Sequence, residues 1–544
     1  MFSCTKRSLD VEIWLNADLI NKMSSYYDYV IVGAGSAGCV VANRLSASGK
    51  HSVLLLEAGG PDSSPWIHIP IGYAKTYYDG KVNWRYQTAA DPGINNRRGY
   101  WPRGKVLGGS SSINAMVFIR GQAEDFDDWH AAGNTGWGWD DVLPYFKKLE
   151  TVACTDSELR GKNGPVYVNQ VIRDMHPTNE NFISACKEIG LSANPDFNAG
   201  SQEGVGYWQI NTKDGRRMSA SRAYLRPARG RRNLTIKTNC FVSKLLFAGN
   251  CAVGVEFYCK GELVSVMAVK EVVLSAGSIN SPQLLQCSGI GDKETLQALE
   301  IPVVHHSPQV GRNLQDHLGM NYYYRSIVPT LNDRFNSLSG KVLSAMQYLL
   351  FRSGPFSLSV NQSGGFVRSS ENRKRPNVQL YYQPISYLSA PTGKRPMIKL
   401  DTFSGFQIGT SQCRPKSRGY VNIISKDPNI SPEICPNYLS HEYDLEEMLE
   451  SVKLIRKIVS APSMQSIVVE EILSGNQVDG DNALIEDFRQ RGDTVFHPVG
   501  TCTMGTSVSN SVVDHRLKVH GMQNLRVVDA SVFPTFPETR TLQV

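Results

Sequence analysis

Residues 33 to 38 read GAGSAG, which sets Gly33, Gly35 and Gly38 in a G-x-G-x-x-G spacing suited to holding a pyrophosphate. Each glycine has its own task there. Gly33 permits a tight turn, Gly35 lets backbone approach the phosphates, and Gly38 lets a helix pack closely on a strand. Ser36 stands at the start of that helix, whose free N–H groups and partial positive charge favour an anion. An acid, Glu57, follows about 20 residues on, where it can accept hydrogen bonds from ribose hydroxyls. A second reactive type, the imidazole of His497, lies in FHPVGTCTMG. Histidine suits proton transfer near neutral pH, but alone in a loop it reads as structural.

These residues need a particular frame. Residues 29 to 32 (YVIV) form a short β-prone apolar run that ends at Gly33, and CVVANRLSA beyond the turn is helix-compatible. A second apolar strand, Ser52–Leu56, ends at Glu57. Strand, glycine turn, helix and acid together predict dinucleotide binding without choosing between FAD and NAD. A chain of 544 residues exceeds one ordinary core and implies two or three intertwined domains. A hydrophobic content of 41% with 20% charged residues excludes a disordered chain. No run approaches the roughly 20 unbroken apolar residues of a membrane-spanning helix, so no transmembrane segment is expected. The first 22 residues mix charge and apolar side chains and do not read as a secretory signal. A start-site artefact ahead of Met23 and a cytoplasmic location are the default expectations. The net charge of +7 is small for this length, and the Arg226–Arg232 cluster (RPARGRR) reads as solvated surface, so no nucleic-acid partner is expected. Eleven cysteines without CxxC pairs predict reduced structural thiols and no metal site.

Further segments choose the cofactor. Residues 103–121 read RGKVLGGSSSINAMVFIRG, residues 277–291 read GSINSPQLLQCSGIG, residues 310–317 read VGRNLQDH, and FHPVGTCTMG precedes LRVVDASVFPTFP. In this order and over nearly the whole chain they resemble the signature segments of the glucose–methanol–choline oxidoreductases, above all the choline dehydrogenase-like members. The resemblance implies an α/β architecture: a Rossmann-like FAD-binding domain with a discontinuous α+β substrate domain carrying an antiparallel sheet. The FAD domain would comprise 27–130, 233–320 and 495–544, and the substrate domain 131–232 and 321–494. By matching position, Gly33, Gly35, Ser36, Gly38 and Glu57 would hold the ADP half, and Val242 would meet the adenine through its backbone. Gly109, Ser110 and Asn114 would line the flavin, and Asp529 with Ala530 would lie near the pyrophosphate and ribityl chain. Some family members tether FAD through a histidine at the position of Ile113, which cannot form that bond, so the FAD is expected to be non-covalent.

The same resemblance lifts His497 from loop histidine to catalytic base, taking the hydroxyl proton of an alcohol while a hydride passes to flavin N5. His317 matches a position that builds the FAD domain and reads as structural. Asn361, Tyr381 and Tyr382 are candidates for the substrate wall or for sheet packing. An uncharged primary alcohol is the expected substrate, with choline close behind and the electron acceptor (oxygen, quinone or another carrier) left open. A flavin photodecarboxylase is disfavoured because Asn361 stands where its cysteine would be, although Arg414 matches its arginine; a hydroxynitrile lyase stays open. The family places a second His or Asn after the RVVDAS segment, whereas here Leu542 falls at that position within ETRTLQV. Codons for ETRTLQ read one base earlier yield GNTNAP, so residues 538–544 are expected to be a frameshifted readout, which the coding DNA decides. A chain that binds FAD but is catalytically impaired is the corresponding alternative.

Overall fold

In the computed structural model the described residues are 23–387, 399–472 and 478–537. The chain is organised by two large sheets. The first has seven strands. Its parallel members run in the spatial order Leu234–Lys237, Val53–Leu56, Met23–Val32, Glu262–Leu274 and Leu525–Val527. Register is set by apolar matches, with Val30 opposite both Leu54 and Val272. Val53–Leu56 is buried along its whole length, as a parallel strand covered on both faces must be. Helix Ser36–Ser46 closes one face through small residues, Ala37, Gly38, Cys39 and Ala42, which allow close approach to the strands. Glu262–Leu274 is long enough to serve twice. Its first half pairs antiparallel with Cys251–Cys259, which in turn pairs with Cys240–Ala248.

The second sheet is antiparallel and six-stranded. Ser363–Val367, Val378–Gln383, Gly405–Gln412 and Leu318–Ser326 lie side by side, and Val468–Glu471 and Asp493–Thr494 both pair with Leu318–Ser326. Its central strands are buried throughout because both faces are covered, with Val378, Leu380, Tyr382, Phe406 and Ile408 on the apolar face and Gln379, Gln383, Gln407 and Ser411 on the other. One face meets helix Glu442–Val459 through Met448, Val452 and Ile455. The other gathers Tyr381 and Phe366 with Trp208, Phe197, Val117 and Ile119. Among the described residues no helix is long and apolar enough to cross a membrane.

Candidate active site

The parallel strands Met23–Val32, Val53–Leu56, Glu262–Leu274 and Leu525–Val527 all end at one cavity of about 630 Å³. Its wall includes Gly33, Gly35, Ser36, Glu57, Gly109, Ser110, Val242, Asp529 and Ala530, so the structure brings these sequence-predicted residues together. A crevice at the carboxyl ends of parallel strands is where open α/β sheets bind ligands. Gly33 sits at φ +96°, and a β-carbon there would lie 2.5 Å from the Ser275 carbonyl oxygen. At Gly38 a β-carbon would fall 1.9 Å from the Gly33 oxygen. Gly35 is different, since its nearest such neighbour is Ser275 O at 3.8 Å, which leaves an open cradle. The helix that starts there has no side-chain cap at its N-terminus, so its first N–H groups stay available to a phosphate. Gly109, at φ +52°, lies against Gly35 so closely that a β-carbon would be 2.6 Å from the Gly35 Cα.

Two carboxylates organise this cavity. Glu57 accepts hydrogen bonds from the N–H groups of Ala34 (2.9 Å) and Gly59 (2.8 Å) and is nearly buried. Burial pushes its pKa up to about 7, against the pull of those N–H groups and of the Lys105 charge. Asp529 accepts from Gly277 N at 2.8 Å, Ser281 Oγ at 2.6 Å and Ser531 N at 2.9 Å. It thereby ties the loop after Glu262–Leu274 to the segment after Leu525–Val527. Asn114 does not line the cavity. Its carbonyl oxygen is held by Arg217 Nη1 at 2.6 Å and by Met116 N at 3.2 Å. Arg217 also donates to the carbonyls of Ile67 and Ser111 and is 1% exposed, and burial pulls its pKa down to about 9.

His497 is presented one residue ahead of Pro498, which lines the cavity. Its backbone N–H donates to Asp316 Oδ1 at 2.7 Å. The preceding carbonyl, of Phe496, accepts from the Arg103 guanidinium. Phe496 lies at φ +72°, a left-handed backbone that a bulky residue adopts only when its surroundings impose it. Here they do: Phe496 N donates to Thr494 Oγ1 at 2.7 Å, and the ring packs on Tyr77 with centroids 5.3 Å apart. Asp316 is the hub. It accepts from Thr494 Oγ1 at 2.6 Å and from the Tyr438 hydroxyl, and burial raises its pKa to about 6. The His497 ring meets His317 edge-on with centroids 5.6 Å apart. His317 is itself stacked on Phe536 at 3.8 Å and donates through Nε2 to the Cys413 carbonyl at 3.0 Å.

Residues 27–319 match the N-terminal profile of the GMC oxidoreductase family, and residues 415–543 match its C-terminal profile. The chain is 43% identical over 512 residues to an alcohol dehydrogenase (acceptor) of Pseudomonas putida, covering 93% of this chain and 91% of that protein. It belongs to the GMC oxidoreductases. An oxygen-dependent choline dehydrogenase of Vibrio vulnificus is 41% identical over 524 residues, covering 95% and 91%. A solved FAD-dependent oxidoreductase from Chaetomium thermophilum superposes with a TM-score of 0.85 at 28% identity, covering 94% and 96%. GMC proteins are oxidoreductases that use FAD, and the residues present fit that group. The open cradle at Gly35, the uncapped helix behind it and the buried acceptor Glu57 supply a phosphate site and a ribose acceptor.

The candidate substrate residues separate. Tyr381 faces the side of the second sheet that carries Val117 and Ile119, with its hydroxyl bonded to Gln379 Oε1 at 3.1 Å. Tyr382, next along the strand, points to the opposite face and stacks on Phe182 with centroids 5.2 Å apart. Successive side chains of a strand point to opposite faces, so the two rings lie on different sides of the sheet. The Asn361 carbonyl oxygen is buried without a hydrogen-bond partner among the described residues. Sequence reasoning missed Arg103, Asp316, Tyr438 and Arg217. Arg103 and Asp316 do lie inside the recognised segments 103–121 and 310–317, which was their one sequence signal. Leu542 and the rest of 538–544 fall outside the described residues.

Proposed function

We propose that this GMC oxidoreductase oxidises an uncharged primary alcohol to the aldehyde, with His497 as the base that takes the hydroxyl proton. The observation that carries the reading is the double fixing of the His497 backbone, by Asp316 on its own N–H and by Arg103 on the preceding carbonyl, beside the nucleotide cavity. A base held in this way needs no reorganisation when the proton moves. FAD, when bound, supplies the acceptor for the hydride that leaves the carbinol carbon. Ile113 is buried among Ile67, Val82 and Val106 and offers no nucleophile, which supports non-covalent retention. Arg217 holds the Asn114 side-chain oxygen and the Ser111 carbonyl, which would keep in place the loop whose Gly109 and Ser110 line the cavity. The orphaned Asn361 oxygen is an acceptor suited to a substrate hydroxyl. Tyr381 and the apolar cluster around it would keep water from the reacting carbon.

The test is anaerobic addition of a panel of alcohols, including choline, to the FAD-loaded protein, with the visible flavin bands followed. Bleaching by an uncharged primary alcohol supports the proposal. Bleaching by choline alone would replace the substrate assignment, and bands that no alcohol bleaches would end the reading of alcohol oxidation.

A further inference from the structure

Helix Leu338–Phe351 (LSGKVLSAMQYLLF) is built inside out. It buries only Ser344 and Tyr348, whereas Leu338, Leu343, Met346, Leu349, Leu350 and Phe351 are each between 51% and 79% exposed. A surface helix ordinarily turns its apolar stripe to the core. Here the inward side is the polar one. Arg334 donates to Ser344 Oγ at 2.7 Å and to Gln347 Oε1 at 2.9 Å, and the Tyr348 hydroxyl donates to Gly215 O at 3.0 Å. Hydrogen bonds therefore pin one side of the helix while the apolar side is left for another phase. An exposed apolar patch of this kind marks an interaction surface.

A second, independent feature identifies that phase. Gly215 belongs to the loop that joins Thr212–Lys213 to Arg216–Arg217, so the C-terminal end of the helix abuts a group of arginines. The Arg352 guanidinium lies 5.0 Å over the Tyr348 ring, and Arg222 donates to the Arg217 carbonyl at 3.1 Å. Arg216 and Arg226 are exposed, and both lie near enough to Arg222 for their charges to act on it, with Asp214 as the opposing acid. Arg226 opens the RPARGRR run, whose Arg229 and Arg232 are also exposed. Arg217 reaches the Ile67 carbonyl at 2.8 Å, which puts the 45%-exposed Trp66 in the adjoining helix Pro65–His68. An apolar helical stripe with an arginine rim is the composition of a helix that lies in a membrane surface. A second copy of this chain would offer the stripe apolar area but little counter-charge for the arginines. An anionic leaflet answers both features at once.

We propose that this face docks on an anionic phospholipid bilayer, with helix Leu338–Phe351 lying in the headgroup layer and Arg216, Arg222, Arg226 and Arg352 on the lipid phosphates. The test uses the full-length, FAD-loaded protein and two kinds of vesicle, phosphatidylcholine alone and phosphatidylcholine with added phosphatidylglycerol. Co-sedimentation with the anionic vesicles that weakens as salt is raised is the expected result. Leu343→Glu with Leu350→Glu should abolish it, and Arg216→Glu with Arg226→Glu should weaken partitioning on the order of 30-fold. Both pairs change exposed side chains, and unchanged flavin spectra and melting temperatures would show that the fold is intact. Absence of co-sedimentation at low salt, or binding that neither pair alters, would overturn the proposal. So would a dimer in sedimentation velocity that the leucine substitutions dissociate without any vesicle binding, because the occupant would then be a second copy.

Discussion

Around the nucleotide cavity the ligand-facing groups are largely backbone, whereas around His497 the organising groups are side chains drawn from distant segments. The first region works through glycines, an uncapped helix N-terminus and N–H groups already turned toward Glu57. The second works through Arg103, Asp316, Tyr438 and Thr494, which are far apart in the chain and meet only in the fold. The difference bears on robustness. A backbone site fails when a side chain is added, because no space exists for it. A side-chain site fails when one member is removed, because its partners are left buried and unpaired.

The largest expected effect comes from separating the two regions. His497→Gln should lower the rate of anaerobic flavin bleaching by roughly 10²- to 10⁴-fold while the protein keeps its FAD. Loss of FAD in that variant would show that the regions are not independent. Gly38→Ala should act the other way, since its β-carbon would sit 1.9 Å from the Gly33 oxygen. Overpacking of this kind costs about 1–3 kcal/mol or more, and the purified protein should carry little flavin, as measured by absorbance after denaturation.

Asp316→Asn probes the hub. Its amide would turn N–H groups toward donors that now give hydrogen bonds to a carboxylate, a loss of about 1–3 kcal/mol visible in denaturant midpoints. The variant should also change the pH dependence. The folded-state pKa of Asp316, about 6, lies above the ordinary aspartate range. Folding therefore favours the protonated acid, and that contribution is full below about pH 4 and lost as pH rises through the folded value. Asn at this position cannot titrate, so the decline across this window should flatten, and a curve parallel to the native one would refute the assignment.

The smallest effect belongs to Glu57, raised to about 7 by burial. Its ionised form is the better acceptor for ribose hydroxyls, so FAD affinity should fall as the pH drops below about 7, as followed by release of free flavin fluorescence. Glu57→Gln should bind FAD roughly tenfold more weakly and show little of that pH dependence. A native protein whose affinity is flat across neutrality would leave Glu57 without a ribose role.

The sequence by itself determined the nucleotide region. GAGSAG, the flanking apolar strands and Glu57 are contiguous or nearly so, and the steric demand for glycine at Gly38, set by the Gly33 oxygen, is local. It also marked the 103–121, 310–317 and 496–505 segments as special, but not what Arg103 and Asp316 do there. Their roles arise when three chain segments cross, and a buried carboxylate acquires its meaning only from the donors brought around it. Tertiary structure likewise separated Tyr381 from Tyr382, since adjacent strand residues look alike in sequence while the pleat sends them to opposite faces. It also decided which way helix Leu338–Phe351 faces. Composition shows that the helix is apolar, but only the hydrogen bonds of Arg334 and Tyr348 fix its polar side inward and turn the leucines out.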